Sequence, residues 1–121
     1  LDPLQVVWHG NYLKYFDIAR FGLFKQAGVD LYPYFKSRQI IFPVTRSSAK
    51  HIIPLRFDDE FICKATVIEA VYKIVLSFEI RLSENGQICT RGKSEQLAVK
   101  WPEMEMQFEI PGEITRALGF A

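Results

Sequence analysis

Asn11-Tyr12-Leu13-Lys14-Tyr15-Phe16-Asp17-Ile18-Ala19-Arg20-Phe21-Gly22-Leu23-Phe24-Lys25-Gln26-Ala27-Gly28 is the stretch that decides the fold. Within it Tyr12, Phe16, Ala19, Leu23 and Ala27 recur at spacings of three and four, flanked by Leu13 and Phe24. That is the period of one helix face. The face is broad, so the spacing predicts a long, well-buried helix from Asn11 to about Ala27. Asn11 is expected to accept from an early amide as N-cap, and Gly28 to take the left-handed conformation that ends the helix. Asp30 is expected to cap a short helical turn through Tyr34-Phe35, with Pro33 inside it.

Beyond Ser37 the period changes from helical to alternating. Ile40 to Ile53, punctuated by Pro43 and Pro54, reads as one long, bent or edge strand. Arg56-Phe57-Asp58-Asp59 reads as a turn, and Phe61 to Val71 as a second strand. In the third strand Ile74, Leu76, Phe78, Ile80 and Leu82 point one way, while Val75, Ser77, Glu79 and Arg81 point the other. Asn85-Gly86 is the preferred pair for a two-residue type I′ hairpin, in which both residues have positive φ. Gln87 to Lys100 is then the antiparallel return strand. Pro111 at a first helical position and Gly119 past the end predict a short helix over Gly112 to Leu118. One long helix and at least four antiparallel strands make an α+β domain, and the sheet must curl around the helix to keep its wide apolar face dry.

Composition bounds what such a domain does. The 121 residues, 49% hydrophobic, fit one domain over 1–121 with a substantial core and leave no room for a second. Lys and Arg total 15 against 14 Asp and Glu, without a long run of one sign. Nucleic-acid binding is therefore not expected. No apolar run approaches the ~18–20 residues that span a bilayer, so no transmembrane helix is expected. The first residue is Leu rather than Met and no charged-then-apolar leader follows, which points to a natural start upstream. Cys63 and Cys89 are too few for a disulfide framework and read as buried or half-buried strand thiols of a reducing, cytoplasmic compartment. His9 and His51 lack metal-ligand spacing, and no Gly-rich phosphate loop precedes a helix, so neither a metal nor a nucleotide cofactor is expected.

The chemistry is concentrated just ahead of the helix, in Asp2-Pro3-Leu4-Gln5-Val6-Val7-Trp8-His9-Gly10-Asn11-Tyr12. Asp2 is a carboxylate a few residues before a helix N-terminus, which offers unpaired N–H groups and a partial positive charge. A carboxylate, an imidazole and free amides in that order can attack or deprotonate something that carries a polarisable carbonyl. Gly10 lets a substrate approach the backbone closely. Each residue also has a plainer reading. Asp2 reads as a solvated acid near a chain end, His9 as a helix-start residue satisfied by backbone, Asn11 as an N-cap, and Tyr12 and Trp8 as packing. Asp17 reads as a surface acid bonded to Arg20 at i+3.

The string Asp2-x-x-x-Val6-Val7-Trp8-His9-Gly10-Asn11-Tyr12-Leu13-x-Tyr15-Phe16-x-x-Ala19-Arg20 closely resembles the signature of the hotdog-fold acyl-CoA thioesterases of the 4-hydroxybenzoyl-CoA thioesterase class. It is most similar to the bacterial short-chain enzymes encoded beside the Tol–Pal genes. Leu55-Arg56-Phe57-Asp58-Asp59-Glu60 is similar to the family's turn between its second and third strands, so the resemblance covers nearly the whole chain. It implies a hotdog fold, a curled antiparallel sheet around one central helix, and hydrolysis of acyl-CoA. It also implies that Asp2 is the catalytic carboxylate, as nucleophile or general base, and that the backbone N–H of His9 polarises the thioester carbonyl. Trp8, Gly10, Asn11 and Tyr12 become substrate-binding candidates. Two departures stand out. Gln5 replaces the family's usual Gly, and the family's first strand precedes the acid, whereas this sequence begins one residue before it.

The resemblance further implies a homodimer or homotetramer, because one protomer leaves a sheet edge and one side of the cleft open. An acyl-CoA or acyl-carrier-protein substrate needs cations for its phosphates, for which Lys50, His51, Arg56, Arg91 and Lys93 are candidates, beside the plainer reading of a scattered solvated face. Two other functions remain open: a non-hydrolytic module that holds acyl thioesters, and another hotdog chemistry such as dehydration of a hydroxyacyl thioester.

Overall fold

The computed structural model describes residues 9–56 and 58–120, and for residues 9–11 the backbone alone. Asp2 and Trp8 lie outside the described residues. The long helix α1 runs from His9 to Gln26. His9 and Gly10 are already helical, so Asn11 sits inside the first turn instead of capping it. The other end is as expected. Gly28 has φ +80°, its N–H donates to Lys25 O at 3.0 Å, and the N–H of Val29 donates to Phe24 O at 2.8 Å. This pair of bonds is a Schellman closure, which satisfies carbonyls the helix leaves open.

Helix α2 spans Leu31–Arg38, longer than the single turn expected, and Asp30 precedes it without a side-chain capping bond. Pro33 is accommodated because it falls within the first turn, where a backbone N–H has no helical partner.

The four-stranded antiparallel sheet contains β2 (Val44–His51), β3 (Phe61–Glu69), β4 (Ile74–Leu82) and β5 (Ile88–Gln96), in the order β2-β5-β4-β3. A smaller sheet has the order β1-β6-β7, with β1 at Ile40–Ile41, β6 at Val99–Lys100 and β7 at Glu105–Met106. The strand expected over Ile40 to Ile53 is thus two strands in two sheets, and so is the return strand over Gln87 to Lys100. Pro43 has no N–H to give the ladder and a bulge follows between Val44 and Arg46, so the chain bends there. The N–H of Leu97 donates to Pro43 O at 3.4 Å, which holds the second break against the first.

The hairpin between β4 and β5 also differs from expectation. Gly86 has φ +71°, but Asn85 is not among the positive-φ residues, so the turn is not type I′. Leu82 N–H donates to Gln87 O at 2.9 Å across a four-residue loop, and Asn85 acts through its side chain, whose Oδ1 accepts from the N–H of Gln87 at 2.9 Å. Asn was read for its backbone tolerance and is used for its side-chain acceptor. The C-terminal helix α3 covers Gly112–Ala117 with Pro111 as its N-cap, one position outside the predicted first turn.

The helix lies on the inner face of the curled sheet. Tyr12, Phe16, Arg20 and Phe24 are the buried residues along it, spaced by four, with Ala19, Leu23 and Ala27 half-buried beside them. Phe16 stacks on Phe78, with ring centres 4.6 Å apart and planes 15° apart, and Tyr15 meets Phe61 at 4.7 Å. Strand β4 carries the centre of the core through Ile74, Leu76, Phe78 and Ile80, all fully buried. Gly92 of β5 lies directly under the Phe16 ring, where any Cβ would collide with it. The absent side chain is what lets helix and sheet approach this closely.

Candidate active site

The first turn of α1 is fixed from below. The Tyr12 side chain is 3% exposed, and its hydroxyl oxygen accepts the N–H of Leu55 at 3.2 Å. Leu55, itself fully buried, lies within the connection between β2 and β3, so this bond ties the helix start to that loop. The loop is closed in turn by Asp59, whose N–H donates to Arg56 O at 3.1 Å and whose carboxylate accepts from the N–H of Arg56 at 2.7 Å. The Tyr12 ring also packs against His51, with centres 4.3 Å apart and planes tilted by 52°. His51 Nδ1 is 3.3 Å from Thr90 Oγ1 on the neighbouring strand. A buried tyrosine, an imidazole and a threonine therefore hold the helix start against the ends of β2 and β5.

His9 and Gly10 open the helix, and amides of its first turn have no partner within it. No acidic residue occupies that turn, while Lys25 complements the dipole at the far end. Such a positive end can stabilise an anion or a developing negative charge. Asn11 follows them, and Asp2 and Trp8 belong to the segment not described.

Helical spacing puts Leu13 and Asp17 in line with His9 along one side of α1. There a cavity of about 280 Å³ opens between the helix and strands β2 and β5, lined by Leu13, Phe16, Asp17, Arg20, Val44, Ser47 and Ser94. Its floor is polar. Arg20 is 5% exposed, pairs with Asp17 through Nη1, donates from Nη2 to Ser94 Oγ at 3.0 Å, and lies 5.5 Å from the Phe78 ring centre. The i+3 bond from Asp17 to Arg20 was legible in the sequence. The burial of Arg20 was not, although its place four residues from both Phe16 and Phe24 carried the signal.

A larger cleft of about 550 Å³ sits at the other end of the helix, against Phe21, Lys25, Gly28, Leu31 and Tyr32. An 18-residue helix separates the two ends by roughly 27 Å at ~1.5 Å per residue, so that cleft is remote from the helix start.

The candidate phosphate cations are not gathered at the helix start. His51 faces inward onto Tyr12, and Arg56 lies exposed in the turn. Lys50, Arg91 and Lys93 point to the outer face of the sheet, because their strand neighbours Ala49 and Gly92 are the ones that face the helix. The thiols are poor nucleophiles. Burial pushes Cys63 up to about 11 and raises Cys89 as well. Among the described residues no cluster of three metal-ligating side chains forms, and no helix is long and apolar enough to cross a membrane.

The family model of the thioesterase superfamily matches residues 4–88, from ahead of the helix start to the opening of β5. The chain belongs to the thioesterase superfamily. Its solved structural relatives share the fold at low identity. A 1,4-dihydroxy-2-naphthoyl-CoA thioesterase from Synechocystis is 17% identical with a TM-score of 0.87, over 98% of this chain and 86% of that one. A DHNA-CoA thioesterase from Staphylococcus aureus is 24% identical with a TM-score of 0.81, over 89% and 72%. A 4-hydroxybenzoyl CoA thioesterase variant complexed with 4-hydroxybenzoyl CoA is 17% identical with a TM-score of 0.87, over 98% and 90%. These relatives carry the hotdog fold, and this thioesterase-superfamily chain adopts it as an α+β curled sheet around one helix. No curated protein sequence gives a significant match.

Proposed function

We propose that this chain hydrolyses acyl-CoA thioesters to free acid and CoA, with Asp2 as nucleophile or general base and the His9 amide as oxyanion donor. The observation that carries the reading is the start of α1 at His9-Gly10, with no acidic residue in its first turn, held by Tyr12 and Leu55 beside a cavity that continues along the same side of the helix. Membership of the thioesterase superfamily supports the substrate class. The histidine at position 9 supports kinship with the Tol–Pal-linked branch, and free Cys63 and Cys89 fit a cytoplasmic setting.

In this mechanism the thioester carbonyl points at the first-turn amides and its acyl group lies toward Leu13 and Phe16. The Asp2 carboxylate adds to the carbonyl or takes a proton from the water that adds. The oxygen gains negative charge as it is attacked, and preorganised amides at a positive helix end stabilise that charge more than the ground-state carbonyl; one such donor is typically worth roughly 2.7–4 kcal/mol. The C–S bond then breaks and the CoA thiolate leaves, which gives the free acid directly when water has added, and a mixed anhydride on Asp2 that water then hydrolyses when the carboxylate itself has added. Trp8, Gly10, Asn11 and Tyr12 shape the approach to this point. The chain acts as one hotdog domain over 1–121.

The cavity residues Val44 and Ser47 belong to β2, an edge strand whose outer ladder groups have no neighbour strand among the described residues. A second copy paired along β2 would satisfy that edge and wall the cavity, which supports a homodimer as the working unit. The Asp2→Asn variant of the full-length protein is expected to lose at least about 100-fold in kcat for acyl-CoA hydrolysis, followed by free-thiol release. Unchanged hydrolysis overturns the assignment. Gln5, in place of the family's usual Gly, favours one second reading, a module that binds acyl thioesters without turnover. Tight binding of a non-hydrolysable thioester analogue with no thiol release would favour it.

A further inference from the structure

Met104-Glu105-Met106-Gln107-Phe108-Glu109-Ile110 alternates apolar and polar residues, the pattern of a strand with one apolar face. Of its apolar residues only Ile110 is buried; Met104, Met106 and Phe108 are 54%, 65% and 86% exposed. The segment contains β7, which pairs with β6 alone and lies at the edge of the small sheet, so its outer ladder groups have no neighbour strand among the described residues. Trp101 and Met104 flank the turn that follows the Lys100–Glu105 pair, and Tyr72 meets Phe108 edge-on at 5.9 Å, which extends the exposed apolar surface at both ends. Met104 has φ +59°, a conformation that suits Gly or Asn better. The fold thus sets a large apolar side chain at a strained turn without burying it. Glu103, Glu105 and Glu109 are interleaved with these residues and exposed, and none has a cation within ion-pair distance among the described residues. Residues 101–110 contain no Lys, Arg or His, and Lys100, directly opposite Glu105, donates instead to Arg38 O at 3.3 Å.

We propose that the β7 edge docks an extended segment of another protein in which apolar and cationic residues alternate, added to the small sheet as a further strand. A strand laid along β7 takes up its open ladder groups. Because side chains alternate between faces, the apolar residues of such a segment fall beside Met104 and Met106 and its cations beside Glu105 and its neighbours. Methionine adapts its shape to different apolar neighbours, and aromatic residues at the ends of the patch supply the anchors that protein interfaces favour. The three glutamates also say what does not bind. Two copies of this chain paired through β7 would set glutamate against glutamate, and a phosphate backbone or an anionic lipid surface meets the same repulsion. A cationic amphipathic helix would cover the methionines but leave the ladder groups of β7 unpaired. The surface shares no residue with the proposed hydrolytic site, and the assignment does not depend on that reading.

The probe is a synthetic peptide of alternating valine and lysine, about eight residues long and blocked at both ends, titrated into the full chain by calorimetry at about 0.15 M salt. A peptide of the same composition with its valines and lysines in two blocks should bind at least about tenfold more weakly, and the valine–glutamate analogue should not bind. The variants Glu103→Lys/Glu105→Lys/Glu109→Lys and Met106→Ser/Phe108→Ser change exposed side chains only, and each should weaken binding of the alternating peptide by at least about tenfold. Asp58→Lys/Glu60→Lys/Glu84→Lys, the same charge change at exposed loop positions elsewhere, should stay within about twofold of wild type, because charges beyond the ~8 Å Debye length are screened. Amide hydrogen exchange in β7 should slow in the complex, which a peptide held by charge alone would not cause. No binding of the alternating peptide, equal binding of the block peptide, tighter binding of a leucine–lysine helical peptide, equal loss in both charge variants or unchanged exchange in β7 overturns the proposal. So does a dimer, followed by sedimentation, that Met106→Ser/Phe108→Ser dissociates, since the occupant is then a second copy.

Discussion

The two faces of the same four strands obey different rules. On the inner face one side chain fixes the next: Phe78 stacks under Phe16, Phe16 fills the space over Gly92, and Arg20 crosses Phe78 to reach Ser94. On the outer face the cross-strand neighbours Ser48, Lys93, Ser77 and Thr66 are short or solvated, and the ion pairs among their flanking charges are exposed on at least one side. Alternation along a strand assigns each residue to one regime or the other. The difference teaches that the inner face sets geometry and stability, whereas the outer face is free to vary in charge.

The strongest way to break this contrast is Phe78→Ala, which empties the centre of the inner face and is expected to cost about 3–5 kcal/mol in urea unfolding. A loss below about 1 kcal/mol would mean that Phe16 and Arg20 do not depend on it. Next comes Gly92→Ala. Its Cβ would lie inside the contact distance of the Phe16 ring and 3.1 Å from Ser48 O, and the ring is backed by Phe78, so about 1–3 kcal/mol is expected. Ser94→Ala is smaller in volume but leaves a buried guanidinium nitrogen without its acceptor, for about 1–3 kcal/mol. The control on the outer face, Ser77→Ala on the adjoining strand, should fall within about 0.5 kcal/mol of wild type in the same assay.

Much of the inner face was legible in the sequence, because periods of two and four are direct consequences of backbone geometry. Ile74 to Leu82 alternates as written, and Gly28 ends α1 as its freedom at positive φ allows. What failed was local. The long strand broke at Pro43 into two sheets because a missing N–H and a bulge redirect the ladder, and neither the direction of the bend nor the new partner, β6, is encoded in alternation. Asn85 entered its turn through a side-chain bond that competes with the backbone conformation its dipeptide favours. Of the site, the motif named Asp2, Trp8, His9, Gly10, Asn11 and Tyr12, and the last four open the helix. The supports around Tyr12 come from Leu55, His51 and Thr90, 39 to 78 positions away, and no local pattern links residues so far apart.

The smallest expected effect lies on the outer face and concerns acid. The Glu95 carboxyl is held below the ordinary glutamate range, first by the hydrogen bond from Lys73, and Lys73 is raised by the same bond. A lowered carboxyl contributes stability that is present above its ordinary value and is lost as pH falls through the folded one; a raised ammonium contributes stability present below its ordinary value and lost as pH rises through the folded one. The pair therefore adds to a plateau between the two ranges. Glu113 lies below its ordinary range too, first through its own backbone bond and then through the Tyr34 hydroxyl at 3.0 Å, and it acts on the acid side independently. Lys73→Met should flatten part of the acid limb of the urea midpoint and leave the part due to Glu113, whereas Glu113→Gln should do the reverse. Because Glu95 and Lys73 meet at the solvent boundary, the Lys73→Met change is expected to be the smaller and to shrink further with salt. An acid limb steeper in Lys73→Met than in Glu113→Gln would agree with that order; the opposite result would put structural weight on the outer face and erase the division of labour between the two sides of the sheet.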